Sequence, residues 1–206
     1  MDAKKTGTTT LGLVYRDGVV LAADRRVTGD HIVVHKNISK IEKLSSNIGV
    51  TIAGMVSDVQ TLVRVMQSEL ALHETRSGSK MSTKGAVGLL STILYNGRRA
   101  LNLYYSQFII GGFDTKPEVY TLGEDGSQLA DTYTVTGSGG DFALGVLEAD
   151  YQPDLAESDA IKLAYKAVST AIKRDIYTGE AVDIAVINKK GYKRLSKEDI
   201  EKAVAQ

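Results

Sequence analysis

Apolar residues along the chain follow two rhythms, a strict alternation in some stretches and a three-to-four-residue recurrence in others. Leu11, Leu13 and Tyr15 alternate with their neighbours, Asp17-Gly18 supplies a turn, and Val19-Val20-Leu21-Ala22-Ala23 is a second apolar run. Two β-prone segments around an Asp-Gly turn predict a hairpin. That hairpin returns Asp24 towards the start of its first strand, near Thr8. A third run, Ile32-Val33-Val34, leads to Lys40, so a hydroxyl, a carboxylate and an amine are expected at one sheet end. Residues 40–44 and 48–53 read as another strand pair, turning at Ser45-Ser46-Asn47.

Helical spacing takes over at about residue 57. Val59, Leu62, Val63, Met66 and Leu70 keep one face, with Ser57-Asp58 as the expected cap. A second helix is expected from residue 83, turning Val87, Leu90, Leu94 and Leu101 inward, with the polar stretch 75–79 as the link. Strands follow at 106–112, 117–122 and 132–136, the last ending on Gly137-Ser138-Gly139-Gly140. Two more helices are expected, at 142–149 and 157–175, the second with Ile161, Ala164, Val168 and Ile172 on one face. A buried strand at 182–187 and a short helix at 199–205 complete the order. Helices that come in pairs between blocks of strands point to an α+β fold. The arrangement expected is two stacked antiparallel sheets with a helix layer outside each, a four-layer αββα sandwich. A Rossmann order needs single helices alternating with strands, which is not the pattern here.

Composition narrows the function more than the fold. The 206 residues are 43% hydrophobic, enough for one domain with its own core. Formal net charge is zero, which speaks for neither nucleic acid nor an anionic membrane as partner. There is no cysteine, so disulfides, thiol catalysis and cysteine-ligated zinc are excluded, and a reducing, cytoplasmic setting is expected. No apolar run is long enough to span a membrane. Residues 1–7, MDAKKTG, lack the apolar segment of a secretory signal and read as either a tail or a propeptide.

A threonine hydroxyl is a weak nucleophile and needs a base within hydrogen-bond reach. The three histidines, His31, His35 and His73, read as surface residues, and no Ser-His-Asp order is convincing. An amino terminus is another kind of base, with an ordinary pKa of about 7.7–8.0. A chain beginning at Thr8 would set that amine beside its own hydroxyl. On the residues alone, Asp24–Lys40 reads first as an ordinary ion pair at a sheet end, and Gly54 equally well as a strand-to-helix turn. Gly137-Ser138-Gly139-Gly140 lacks the lysine of a phosphate loop and the spacing of a dinucleotide fingerprint.

The segments TTTLGLVYRDGVVLAADRRVT, HKNISK, TIAGMVSD, GSGG and RDIYTG, in this order and spacing, resemble a proteasome β subunit of archaeal type. The resemblance runs from Thr8 to about Ile187. It implies the αββα fold of the N-terminal nucleophile hydrolases and a threonine endopeptidase that needs no metal or cofactor. Residues 1–7 become a propeptide cleaved autocatalytically between Gly7 and Thr8, and residues 8–206 the catalytic domain. The implied site has Thr8 as nucleophile, Lys40 as the catalytic lysine, and Asp24 as its acidic partner. Arg26 supports them, and the Gly54 N–H stabilises the oxyanion. Ser138, Asp175 and Thr178 hold the threonine amine and a water; the family often has serine where this chain has Thr178. The P1 pocket falls on Val27, Ile38, Glu42, Ile52 and Val56, which implies cleavage after large apolar residues with Glu42 at the rim. The implied partners are other β subunits in a heptameric ring, α-subunit rings, a regulatory ATPase and unfolded polypeptide substrates. A non-catalytic ring subunit and an amidase of the wider N-terminal nucleophile class are the alternatives.

Overall fold

The computed structural model describes residues 7–205. The expected first hairpin is formed by β1 (Thr10–Tyr15) and β2 (Gly18–Asp24), but its turn is Arg16-Asp17 instead of the expected Asp17-Gly18, so Gly18 opens β2 opposite Tyr15. A short hairpin of β3 (Val27–Gly29) and β4 (Ile32–His35) follows, and then β5 (Ile41–Lys43) and β6 (Ile48–Gly54). Helices α1 (Val56–Ser77) and α2 (Thr83–Arg99) come next, ahead of β7 (Ser106–Phe113), β8 (Pro117–Leu122), β9 (Gln128–Asp131) and β10 (Tyr133–Thr136). The chain closes with α3 (Gly140–Asp150), α4 (Glu157–Arg174), β11 (Val182–Asn188), β12 (Gly191–Arg194) and α5 (Lys197–Ala205). One five-stranded sheet runs β10-β1-β2-β11-β12 and the other β5-β6-β7-β8-β9. Among the described residues every strand pairing is antiparallel.

The period-2 alternation explains how both faces of each sheet are used. On β2, Val20 and Ala22 pack with Leu11 and Leu13 of β1, Ile184 and Val186 of β11, and the apolar faces of α3 and α4. Their neighbours Val19, Leu21 and Ala23 turn the other way and meet Ile109 of β7 and Val119 of β8 from the second sheet. Ile48, Val50 and Ile52 of β6, with Phe108 and Ile110 of β7, pack under α1 and α2. Strands buried on both faces read as continuous apolar runs, and this is the physical content of the run 19–23. Between the sheets lies a polar thread as well. Thr10 Oγ1 hydrogen-bonds Thr136 Oγ1 at 2.7 Å and receives the Thr51 hydroxyl at 2.9 Å, all three buried.

Several local expectations change. Ser57-Asp58 does not cap α1; Met55 occupies the cap without a side-chain bond, and Asp58 accepts the Tyr105 N–H at 3.1 Å. The helix runs on to Ser77, so the link is residues 78–82, where Gly78 (φ 68) ends α1 and Ser82 caps α2 through the Gly85 N–H. Leu101, expected inward, lies beyond α2 and is 90% exposed. Helix α3 starts at Gly140 and α5 at Lys197, each two residues ahead of expectation. Strands β9 and β12 are sheet edges that were not anticipated: every residue of β9 is exposed, so it carries no apolar alternation to read. Among the described residues no helix is long and apolar enough to cross a membrane.

Candidate active site

Strand β2 delivers Asp24 to the sheet end fully buried, opposite Val182 of β11. A buried carboxylate must be paired and hydrogen-bonded. Asp24 Oδ1 takes Lys40 Nζ at 2.7 Å and the Thr9 N–H at 3.0 Å, and Oδ2 takes the N–H groups of Arg26 (3.1 Å) and Gly179 (3.0 Å). This one side chain therefore ties four segments together. Lys40 is held ahead of β5 by its carbonyl, which accepts the Ile52 N–H at 3.0 Å. It is 4% exposed, and burial pulls its ammonium below the usual lysine range, with the Asp24 charge working against that shift.

Thr8 precedes β1 and is also buried. Its hydroxyl donates to the Gly7 carbonyl oxygen at 2.7 Å, and its N–H donates to Ser138 Oγ at 3.2 Å. The Gly7 N–H reaches Thr28 Oγ1 at 3.2 Å. A side chain has no room at Gly7: a Cβ there would stand 1.7 Å from Tyr177 Cβ.

The glycine turn after β10 and the loop after α4 meet on the other side of Thr8. Ser138 Oγ donates to Asp175 Oδ2 at 2.6 Å, and Thr178 Oγ1 donates to the same oxygen at 2.6 Å. The hydroxyl expected of Thr178 is thus in use, and it also contacts Thr9 Oγ1 at 2.8 Å. Gly137 (φ 88) lies so close to Thr8 that a Cβ would meet its carbonyl oxygen at 2.1 Å. The Gly139 N–H goes to that carbonyl oxygen and the Gly140 N–H to Gly137, so these donors are committed to the turn itself. Arg26 braces the 175–180 loop through the Ile176 carbonyl (3.1 Å) and Glu180 Oε1 (3.1 Å).

Gly54 ends β6 at φ 123, and a Cβ would fall 2.2 Å from the Tyr105 carbonyl oxygen. Both the backbone conformation and the space demand glycine. A cavity of about 300 Å³ opens beside it, and its wall includes Thr8, Gly7, Lys40 and Gly54. Val27, Ile38, Glu42, Ile52 and Val56 all line this same cavity. Glu42, expected at the rim, is half-buried in the wall, and burial pushes its carboxyl above the usual range, partly offset by Arg194. The sequence reading missed the contribution of α1 beyond Val56: Val59, Gln60, Val63, Arg64 and Gln67 complete the wall. Their i, i+3 and i+4 spacing from Val56 was the available signal. Thr28 and Tyr177 at Gly7 were also missed, although both lie within segments that carry the resemblance, Thr28 at the end of the first and Tyr177 in RDIYTG.

His31 and His35 are exposed, His73 is half-buried on α1, and none of the three lines the cavity at Thr8. Among the described residues no group of three or more His, Asp or Glu side chains is placed to hold a metal ion. The arrangement offers a hydroxyl, a buried ammonium, a hydroxyl–carboxylate relay and an apolar cavity around one carbonyl.

Comparison with known proteins is consistent with that arrangement. A family model described as proteasome subunit matches residues 4–187. Proteasome subunit beta 1 of Thermococcus sibiricus is 41% identical over 199 residues, covering 97% of this chain and 95% of the relative. Proteasome subunit beta 2 of Pyrococcus abyssi is 41% identical over 203 residues, covering 98% and 97%. Proteasome subunit beta of Methanopyrus kandleri is 40% identical over 207 residues, covering 100% and 99%. With a family match across most of its length and β-subunit relatives end to end, the chain belongs to the proteasome subunit family, among the β subunits of archaeal type.

Proposed function

We propose that the chain is a threonine endopeptidase, the catalytic β subunit of a proteasome core particle, made with a leader that its own Thr8 removes. The observation that carries this reading is the Thr8 hydroxyl, which donates at 2.7 Å to the carbonyl of the residue before it. Beside it stand the buried Lys40–Asp24 pair and the Ser138–Asp175 relay. In the first step Thr8 Oγ attacks the Gly7 carbonyl carbon and the Gly7–Thr8 C–N bond breaks as nitrogen takes a proton. That break frees the Thr8 amine, and water then opens the resulting ester, which gives a Gly7 carboxylate and restores the Thr8 hydroxyl. Residues 1–7 depart as a propeptide, and 8–206 remain as the catalytic domain.

The freed amine then serves as base for its own hydroxyl. Its ordinary pKa of about 7.7–8.0 suits proton transfer near neutrality. The Lys40 ammonium favours the alkoxide form and disfavours a second positive charge on the amine. The Gly54 N–H receives the tetrahedral oxyanion, and Ser138 with Asp175 and Thr178 positions the amine and a water. We read the three packed clusters as the four-layer αββα sandwich of N-terminal nucleophile hydrolases. Further assembly into heptameric β rings with α-subunit rings, feeding by a regulatory ATPase and a cytoplasmic supply of unfolded polypeptide complete the proposal. N-terminal sequencing and intact mass of purified active particles test it. The expected start is Thr8; particles that begin at Met1 or Asp2 and still cleave peptides overturn the mechanism.

Two predictions arise here. Gly7→Val is expected to slow leader removal, because the new side chain overlaps Tyr177 and displaces the carbonyl from Thr8 Oγ. A mass-spectrometric time course of processing reads this, and a rate within about twofold of wild type contradicts it, since overpacking of this severity moves backbone. The cavity is apolar over most of its wall, which favours large apolar P1 residues through area burial. Glu42 adds a pH dependence. Its raised carboxyl is neutral below its pKa, so cleavage after basic relative to apolar P1 residues falls as pH drops through that value. The fall begins at a higher pH than for an ordinary carboxylate, and Glu42→Gln is expected to flatten the ratio.

A further inference from the structure

Thr8 and Gly54 belong to the walls of two cavities, the apolar one and a second of about 370 Å³. Gln107, Glu124, Gly137 and Ser138 line the second, and Gly7 does not. We propose that this second cavity receives the part of a polypeptide substrate that leaves as the free amine, and that Glu124 gives it a preference for a basic residue just after the cut bond. The proposal rests on the reading of Thr8 as nucleophile.

The direction of the chain around Thr8 carries the assignment. Gly7 supplies the carbonyl that Thr8 Oγ contacts, it lies in the wall of the apolar cavity, and its N–H points to Thr28 on β3. The acyl side of a bond at Thr8 therefore runs along the apolar cavity. The nitrogen side is marked by the Thr8 N–H, which donates to Ser138 Oγ, and Ser138 lines the second cavity and not the first. When a substrate C–N bond breaks, its carbonyl carbon stays on Thr8 Oγ as an ester. The nitrogen takes a proton and departs as an amine on the side where Ser138 stands.

The wall chemistry then selects the leaving residue. Gln107 Oε1 accepts the Gly137 N–H at 3.3 Å, which ties β7 to the glycine turn across the cavity. Glu124 lines the cavity as a carboxylate, while its neighbour Asp125 is the one that approaches Arg98, at 3.9 Å. A carboxylate here favours a lysine or arginine after the cut bond, and also the new ammonium of the departing peptide. Glu124 is exposed, so the effect is modest and screened by salt.

Processed particles are to be assayed on peptides identical on the acyl side, with Lys, Leu or Glu after the cut bond. The Lys-to-Glu ratio of kcat/KM is expected at about two- to fivefold at low salt, the range for an exposed ion pair. It falls towards one in Glu124→Gln and inverts in Glu124→Lys, an inversion that a purely structural role does not produce. A ratio that ignores the charge at residue 124 overturns the proposal. A binding measurement needs no turnover. Thr8→Ala particles are titrated with a fluorescent peptide that has a free amino-terminal Lys, with and without Glu124→Gln. Weaker binding in the Glu124→Gln form supports the cavity assignment and equal binding overturns it, whereas absent hydrolysis by wild type overturns only the proposed function.

Discussion

Thr8→Ala is expected to leave a folded protein that cleaves no peptide above background and keeps its leader. The substitution deletes the hydroxyl whose one described bond is to the Gly7 carbonyl. The backbone anchors stay, since the Thr8 N–H still reaches Ser138 and the Gly139 N–H still reaches the Thr8 carbonyl. Loss of the nucleophile from a cooperating set costs on the order of four to six decades in rate. Both steps of the proposed chemistry fail together, because the same oxygen attacks Gly7 first and substrate afterwards. Intact mass reads the retained leader and peptide hydrolysis reads the lost activity. Thr8→Ser is expected to keep part of both. Activity of Thr8→Ala within a few-fold of wild type would sink the assignment.

Lys40→Ala is expected to cost about two or more decades in rate, the range for loss of a preorganised electrostatic donor. Lys40 is buried and its ammonium contacts Asp24 at 2.7 Å, so it is a fixed charge in a poorly screened place. Removing one partner of a buried pair also destabilises, by roughly 3–5 kcal/mol where nothing else compensates. Here three backbone N–H groups still satisfy Asp24, so the fold is expected to hold with a lowered melting temperature. Lys40→Arg is expected to be nearly as damaging, because a planar guanidinium does not replace a compact ammonium in a closed site. Rates on assembled particles of verified melting temperature make the measurement. A loss below roughly tenfold, short of what a missing donor costs, returns Asp24–Lys40 to a purely structural pair. The same burial shapes the wild-type pH profile. A lowered lysine pKa means the ammonium loses its proton earlier as pH rises, so the alkaline limb should begin below the ordinary lysine range.

Much of the site's first half was legible because it is built from near neighbours. A two-residue turn sets the β1–β2 register, and that register puts Ala23 opposite Thr10 and Asp24 beside Thr9. Alternation and a turn signal were sufficient to infer the hairpin and the return of Asp24 towards Thr8, but not the register, because the turn falls on Arg16-Asp17 and not on Asp17-Gly18. The glycines at 54 and 137 were visible as turns, though the sequence alone left open whether they served chemistry or only direction.

What only the tertiary structure decided is contact between distant segments. Ser138 meets the Thr8 nitrogen across 130 positions and Gly179 meets Asp24 across 155. Periodicity acts over one turn or one strand, so it carries no information about which sheet ends are brought together. The same limit hid the exclusion of a side chain at Gly7, which Tyr177 imposes from the far loop. The α1 wall of the cavity escaped differently: Gln60, Arg64 and Gln67 keep helical spacing from Val56, but the helix was read only for its core face. Edge strands escaped for the opposite reason: β9 is held by ladder hydrogen bonds to β8 while all its side chains face solvent, so pairing alone makes it a strand. Core strands declare themselves by what they bury, and edge strands and converging loops exist only once the sheets have stacked.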